Sequence, residues 1–113
     1  MKIHRKLVFL KYYGHCAYCG KEISFKEMHI DHITPKILRG TDDFENLNPS
    51  CKECNNYKCH WHLEEFRRAL KDLLGIKLNY LFKSKTKMQV SINFGVIEIK
   101  EWDGLFYFEK NIK

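Results

Sequence analysis

Apolar positions in the first half of the chain follow short, changing periods. Ile3, Leu7 and Leu10 stand at helical spacing and Gly14 follows as a C-terminal cap, so residues 3–13 read as a short helix. Residues 27–32, Glu-Met-His-Ile-Asp-His, read as a strand, and Leu47 to Ser50 as a short return strand. Pro35, Gly40 and the polar run Thr41-Asp42-Asp43 mark the loop between them. From Asn55 the period turns helical. Leu63, Phe66, Leu70 and Leu73/Leu74 make one apolar stripe, which Gly75 is expected to end. Beyond residue 76 the pattern changes again. Val90, Ile92 and Phe94 alternate with polar or small residues, Gly95 reads as a bulge, and Asp103-Gly104 as a hairpin turn before Leu105-Phe106-Tyr107-Phe108. Residues 76–113 are therefore expected to be a β extension, a hairpin packed on the preceding core. The predicted class is α+β, with residues 1–113 as a single domain.

A chain of 113 residues with 44% hydrophobic and 14% aromatic side chains can build a core, which excludes wholesale disorder. A core of this size gains from a staple such as a bound metal. No apolar run reaches the ~20 residues that cross a bilayer. Lys2, His4, Arg5 and Lys6 interrupt the first ten residues, and no small-residue cleavage site follows. The expectation is a cytoplasmic protein in a reducing compartment. The formal charge is +6. Four thiolates around one Zn²⁺ would leave about +4, a basic surplus that suits a nucleic-acid partner without requiring one.

Four of the five cysteines form two CxxC pairs, Cys16/Cys19 and Cys51/Cys54, with 31 residues between the pairs. A CxxC turn aims two sulfurs at one point, and two such turns complete the tetrahedral S₄ set that zinc prefers. A redox dithiol would stand singly in a βαβ setting, which is absent here. A closed S₄ site has no open coordination position, so this zinc is structural. Cys59 is left over and reads as a small buried or half-buried helix residue.

Between and just after the pairs stand His29-Ile30-Asp31-His32-Ile33-Thr34-Pro35, then Gly40, Asn46-Leu47 and Cys51-Lys52-Glu53-Cys54-Asn55-Asn56-Tyr57-Lys58. This ordered series resembles the HNH endonuclease family, in the branch whose ββα-metal (His-Me finger) motif is flanked by a Cys₄ zinc site. The resemblance covers residues 14–75 as a nuclease core. It implies hydrolysis of DNA phosphodiester bonds, with His32 as general base. It also implies Asp31 and Asn55 as ligands of a catalytic divalent ion (Mg²⁺, Mn²⁺ or another), and Asn46 as the brace of the inter-strand loop. Lys58 matches a basic residue at the phosphate, and His29, Lys36 and Arg39 are further candidates for DNA contact. Cys59 departs from the pattern, where Gly or Ser often stands. Phage packaging, restriction and mobile-element cleavage use such modules. One active site cuts one strand, so double-strand cleavage calls for a homodimer, a larger nuclease or packaging complex, or two encounters.

The residue types suit that chemistry on independent grounds. Hydrolysis needs a base for the attacking water, which a histidine can supply near neutral pH. It also needs charge neutralisation at the phosphate, which a hard ion held by oxygen ligands provides. Taken singly, Asp31-His32 would be a surface polar pair, Asn46 a turn cap, Asn55 a helix-start residue and His29 an exposed side chain. A non-catalytic zinc-stabilised nucleic-acid-binding module would need the four cysteines but not the joint presence of Asp31, His32, Asn46 and Asn55. RNA as substrate is excluded by nothing in the residues.

Overall fold

A computed structural model describes residues 4–81, 84–98, 100 and 102–110. The chain divides into two compact units, Met1–Phe66 with Leu105–Lys113, and Arg67–Gly104. In order, the elements are α1 (Arg5–Leu10), β1 (His29–His32), β2 (Leu47–Ser50), α2 (Lys52–Lys58), α3 (Leu63–Leu81), α4 (Lys85–Asn93) and α5 (Tyr107–Lys110).

In the first unit, β1 and β2 form an antiparallel pair with His29 opposite Ser50, Asp31 opposite Asn48 and His32 opposite Leu47. α2 follows β2 directly, which gives a ββα sequence of elements. Val8, Met28 and Leu47 are buried together, with Phe9, Ile23 and Ile30 packed around them. The face of α1 differs from the predicted stripe. Val8 is the buried residue, while Leu7 and Leu10 are exposed, and Ile3 lies outside the described residues. Lys11 at the end of α1 donates to the carbonyls of Phe44 (2.9 Å) and Leu47 (2.7 Å), tying the helix to the start of β2. Gly14 does terminate this segment, at φ +81° with its N–H on the Phe9 carbonyl.

A second cluster joins three distant stretches of chain. Tyr18, Phe66, Phe106 and Phe108 meet with ring centroids 5.1–6.4 Å apart, largely edge to face around Tyr18. The N–H groups of Tyr107 and Phe108 donate to the carbonyls of Tyr18 (3.0 Å) and Ala17 (2.7 Å). Residues 106–108 thus dock on the first cysteine knuckle by backbone bonds as well as by ring packing.

The expected β-hairpin is not what forms. Val90 and Ile92 lie within the helix α4, and Tyr107 and Phe108 within the short helix α5; the two-stranded sheet β1–β2 holds all the named strands among the described residues. Local capping decides against the strand. Ser84 caps α4 by accepting from the Lys87 N–H. At the other end Gly95 stands at φ +73°, with its N–H on Ile92 (3.0 Å) and that of Val96 on Ser91 (2.9 Å). That is a Schellman C-terminus, so Gly95 ends a helix and does not bulge a strand. Gly75 does not stop α3, which runs on to Leu81. The alternation also reads in part over Val96 to Ile99, of which Ile99 lies outside the described residues. Among the described residues no helix is long and apolar enough to cross a membrane.

Candidate active site and metal centre

The two knuckles bring Cys16, Cys19, Cys51 and Cys54 together with all four sulfurs within 4.8 Å of one another. In the first, the Cys16 N–H donates to the Lys21 carbonyl (2.8 Å) and the Gly20 N–H returns to the Cys16 carbonyl (3.0 Å). In the second, Cys51 is the N-cap of α2 and its sulfur accepts from the Cys54 N–H. Ala17 N–H bonds to the Pro49 carbonyl (2.8 Å), locking one knuckle to the strand that leads to the other. A tetrahedral Zn–S₄ centre has neighbouring sulfurs roughly 3.8 Å apart, and Cys19 and Cys51 stand at 3.9 Å. The thiols compete for protons. Hydrogen bonds from Cys19 and Cys54 pull the Cys16 thiol far down, while that of Cys19 is pushed up to about 11 and that of Cys54 further still. Four thiolates this close need a cation, and the donor set fits zinc.

An open cleft of about 450 Å³ is lined by Asp31, His32 and Asn55, together with Lys36, Cys59 and His60. Asp31 and His32 come from the end of β1, Asn55 from the first turns of α2. His32 places Nε2 2.8 Å from Asp42 Oδ1, and Lys36 Nζ lies 3.1 Å from Asp42 Oδ2. The loop between the strands is held by Asn46. Its Oδ1 accepts from the Thr34 N–H (2.9 Å), and its Nδ2 donates to the carbonyls of Thr34 (3.0 Å) and Thr41 (2.8 Å). Gly40 is required in the same loop, because a Cβ there would stand 1.6 Å from the Thr34 carbonyl oxygen. His29 is half-buried, with Nδ1 3.4 Å from Asn55 Nδ2.

Asp31, though it lines the cleft, is almost fully buried. Its Oδ2 accepts from the Tyr18 hydroxyl and lies 3.1 Å from Lys58 Nζ. Burial raises the Asp31 carboxyl above the ordinary value, and the Tyr18 hydroxyl and Lys58 ammonium pull it back. Tyr18, held well above its usual range by burial and then by the Asp31 charge, stays a phenol and so a donor. Lys58 is fully buried, and its Nζ also donates to the His32 carbonyl at 2.9 Å. The expected phosphate contact is therefore corrected: this lysine neutralises Asp31 and pins the strand end that bears His32. Lys58→Met should leave Asp31 buried without its cation and lower stability by roughly 3–5 kcal/mol. Urea unfolding reads this directly, and an unchanged midpoint would remove the ion pair from the account.

Residues 16–71 match the HNH endonuclease family. These residues belong to that family. A stretch of 44 residues is also 46% identical to the CRISPR-associated endonuclease Cas9 of Corynebacterium diphtheriae. It covers 38% of this chain but only 4% of that protein's length.

Within the HNH segment, Asp31, His32 and Asn55 share one cleft, and Asn46 stands behind it as the brace of the loop. Arg39 is exposed at a left-handed position, φ 70°. Lys36 is exposed but already engaged with Asp42. Cys59 is exposed and not half-buried as expected; it caps α2 at φ 49°. That backbone conformation is one that glycine adopts without strain. Two contributors were not singled out from the sequence. Tyr18, between two zinc-knuckle cysteines, reaches Asp31 only through the tertiary fold. Asp42 lies in a polar run that reads as loop, and its single signal is a carboxylate between His32 and the bracing Asn46.

Proposed function

We propose that the chain is a DNA endonuclease in which His32 is the general base, Asp31 and Asn55 hold one divalent ion, and Cys16, Cys19, Cys51 and Cys54 hold a structural zinc. The observation that carries this reading is the single cleft shared by an imidazole, a carboxylate and a carboxamide, a donor set of hard oxygens beside a base. A divalent ion there supplies charge neutralisation at the phosphate and at the departing oxygen. His32 takes a proton from water, the water oxygen bonds phosphorus, and the bond to the 3′ oxygen breaks. The ends are a 5′-phosphate and, once the leaving oxygen is protonated from solvent, a 3′-hydroxyl. Membership of the HNH family and the similarity to a protein named as an endonuclease support the same reading. Lys58, paired with Asp31, keeps this cleft lining in place.

Supercoiled plasmid is the test substrate. Zinc-loaded protein with Mg²⁺ or Mn²⁺ should convert it to open circles, and EDTA should prevent this. Retention of plasmid on the protein without any cleavage would favour a zinc-stabilised binding module. Cleavage of single-stranded RNA in preference to plasmid would move the substrate class to RNA.

A further inference from the structure

We infer that Asp42 is a positioning residue of the active site: it fixes the ring orientation and tautomer of His32, so that Nδ1 is the nitrogen that accepts the proton. The inference rests on the reading of His32 as base and adds which atom acts and what holds it.

His32 Nε2 and Asp42 Oδ1 are 2.8 Å apart, a hydrogen-bond distance for a charge-assisted pair. An ionised carboxylate can only accept, so the shared hydrogen sits on Nε2. In a neutral imidazole the other nitrogen, Nδ1, then carries the lone pair. Asp42 is kept ionised by its surroundings: the hydrogen bond from His32, then the Lys36 ammonium, hold its carboxyl below the usual range. Lys36 takes the second oxygen, Oδ2, at 3.1 Å, which leaves Oδ1 for the histidine.

Asp42 is also held from behind. The carbonyl of Thr41, its neighbour, accepts from Asn46 Nδ2 at 2.8 Å. The Thr41 hydroxyl bonds to Asp43 Oδ2 (2.9 Å) and accepts from the Asp43 N–H (3.3 Å). Gly40, just before Thr41, lies against Thr34, where no side chain fits, and on the other side of Asp42 the Asp43 carbonyl accepts from the Asn46 N–H (2.8 Å). The backbone on both sides of Asp42 is thus fixed relative to the end of β1. Asn46 accordingly acts on His32 at one remove, by placing Asp42. A surface ion pair between Lys36 and Asp42 alone would need none of this support, nor an imidazole on the inner oxygen.

The experiment uses the full, zinc-loaded chain and two readouts. Nitrogen-15 shifts of the His32 ring, at mildly alkaline pH, should show protonated Nε2 and unprotonated Nδ1. In Asp42→Asn the amide can donate as well as accept, and the ring should lose that single tautomer. Cleavage of supercoiled plasmid by Asp42→Asn should fall ~10²–10³-fold in kcat, with KM and zinc content nearly unchanged, as expected for a misdirected base. Asp42→Glu, which keeps the charge, should recover part of the loss. Wild-type His32 with an unprotonated Nε2, or Asp42→Asn cleaving at the wild-type rate, would overturn the inference. Failure of the underlying reading is separate: loss of the nuclease reading appears as wild-type protein that retains plasmid without cleaving it, and loss of His32 as base as a folded His32→Ala protein that cleaves like wild type, whatever the tautomer spectrum shows.

Discussion

Removing the metal from the four-cysteine cluster should unfold the first unit altogether. Cys16 is completely buried and its chain neighbours carry the architecture: Ala17 is bonded to β2, and Tyr18 anchors the aromatic cluster and holds Asp31. Without a cation, four sulfurs within 4.8 Å of one another cannot all be thiolates, and nothing draws the two knuckles together at this point. Metal binding in small sites of this kind contributes on the order of 10 kcal/mol to folding. The whole stability of a domain is about 5–15 kcal/mol, so few other contacts could offset the loss. Serine at any of the four positions should have nearly the same effect, because a neutral hydroxyl replaces a thiolate ligand. The measurement is zinc content by elemental analysis beside near-ultraviolet circular dichroism and a melting curve. Protein stripped by a chelator that keeps its native spectrum and a cooperative melt would exclude the zinc as a staple.

The second large effect is kinetic. His32→Ala should lower the rate of plasmid cleavage by ~10²–10⁴-fold, the usual contribution of a positioned general base. Stability should barely change, because the ring lies at the cleft and not in the core. Lys58 bonds to the His32 backbone carbonyl, which alanine retains. The ion pair under Asp31 is likewise untouched. DNA affinity and zinc content should therefore stay close to wild type, which separates this variant from any cysteine or Lys58 substitution. Wild-type cleavage by the folded variant, with contaminating nuclease excluded, would end the assignment of His32.

Lys58 and Asp42 show how the two levels of description part. From sequence alone a lysine after an HNH-like Asn-Asn-Tyr reads as a solvent-facing cation, since lysines are rarely buried unpaired. It is buried here because Asp31, far back in the chain, offers a charge to pair with once β1 lies against α2. Asp42 reads as one acid in a polar loop; its meaning comes from a loop path set by Asn46 and Gly40. The aromatic cluster is similar. Tyr18, Phe66 and Phe106 share no local period, and their packing follows from the route of the chain through a second unit and back.

What the sequence determined by itself were the features held by short-range chemistry. These are the two CxxC turns, the strand ending in Asp31-His32, the return strand Leu47–Ser50 and the order of the cleft's donors; the helical pattern read from Asn55 onward is divided by the structure, into α2 from Lys52 to Lys58 and α3 from Leu63. Spacing along a few residues is enough to aim such groups. Period-two alternation at Val90, Ile92 and Phe94 misled because a strand needs a partner, and a helix with a serine cap and a glycine terminus closes its hydrogen bonds alone. The tertiary structure decided which charges were buried and which nitrogen of His32 faces Asp42. Those outcomes depend on desolvation and on partners 10 to 27 positions away, which no local pattern encodes.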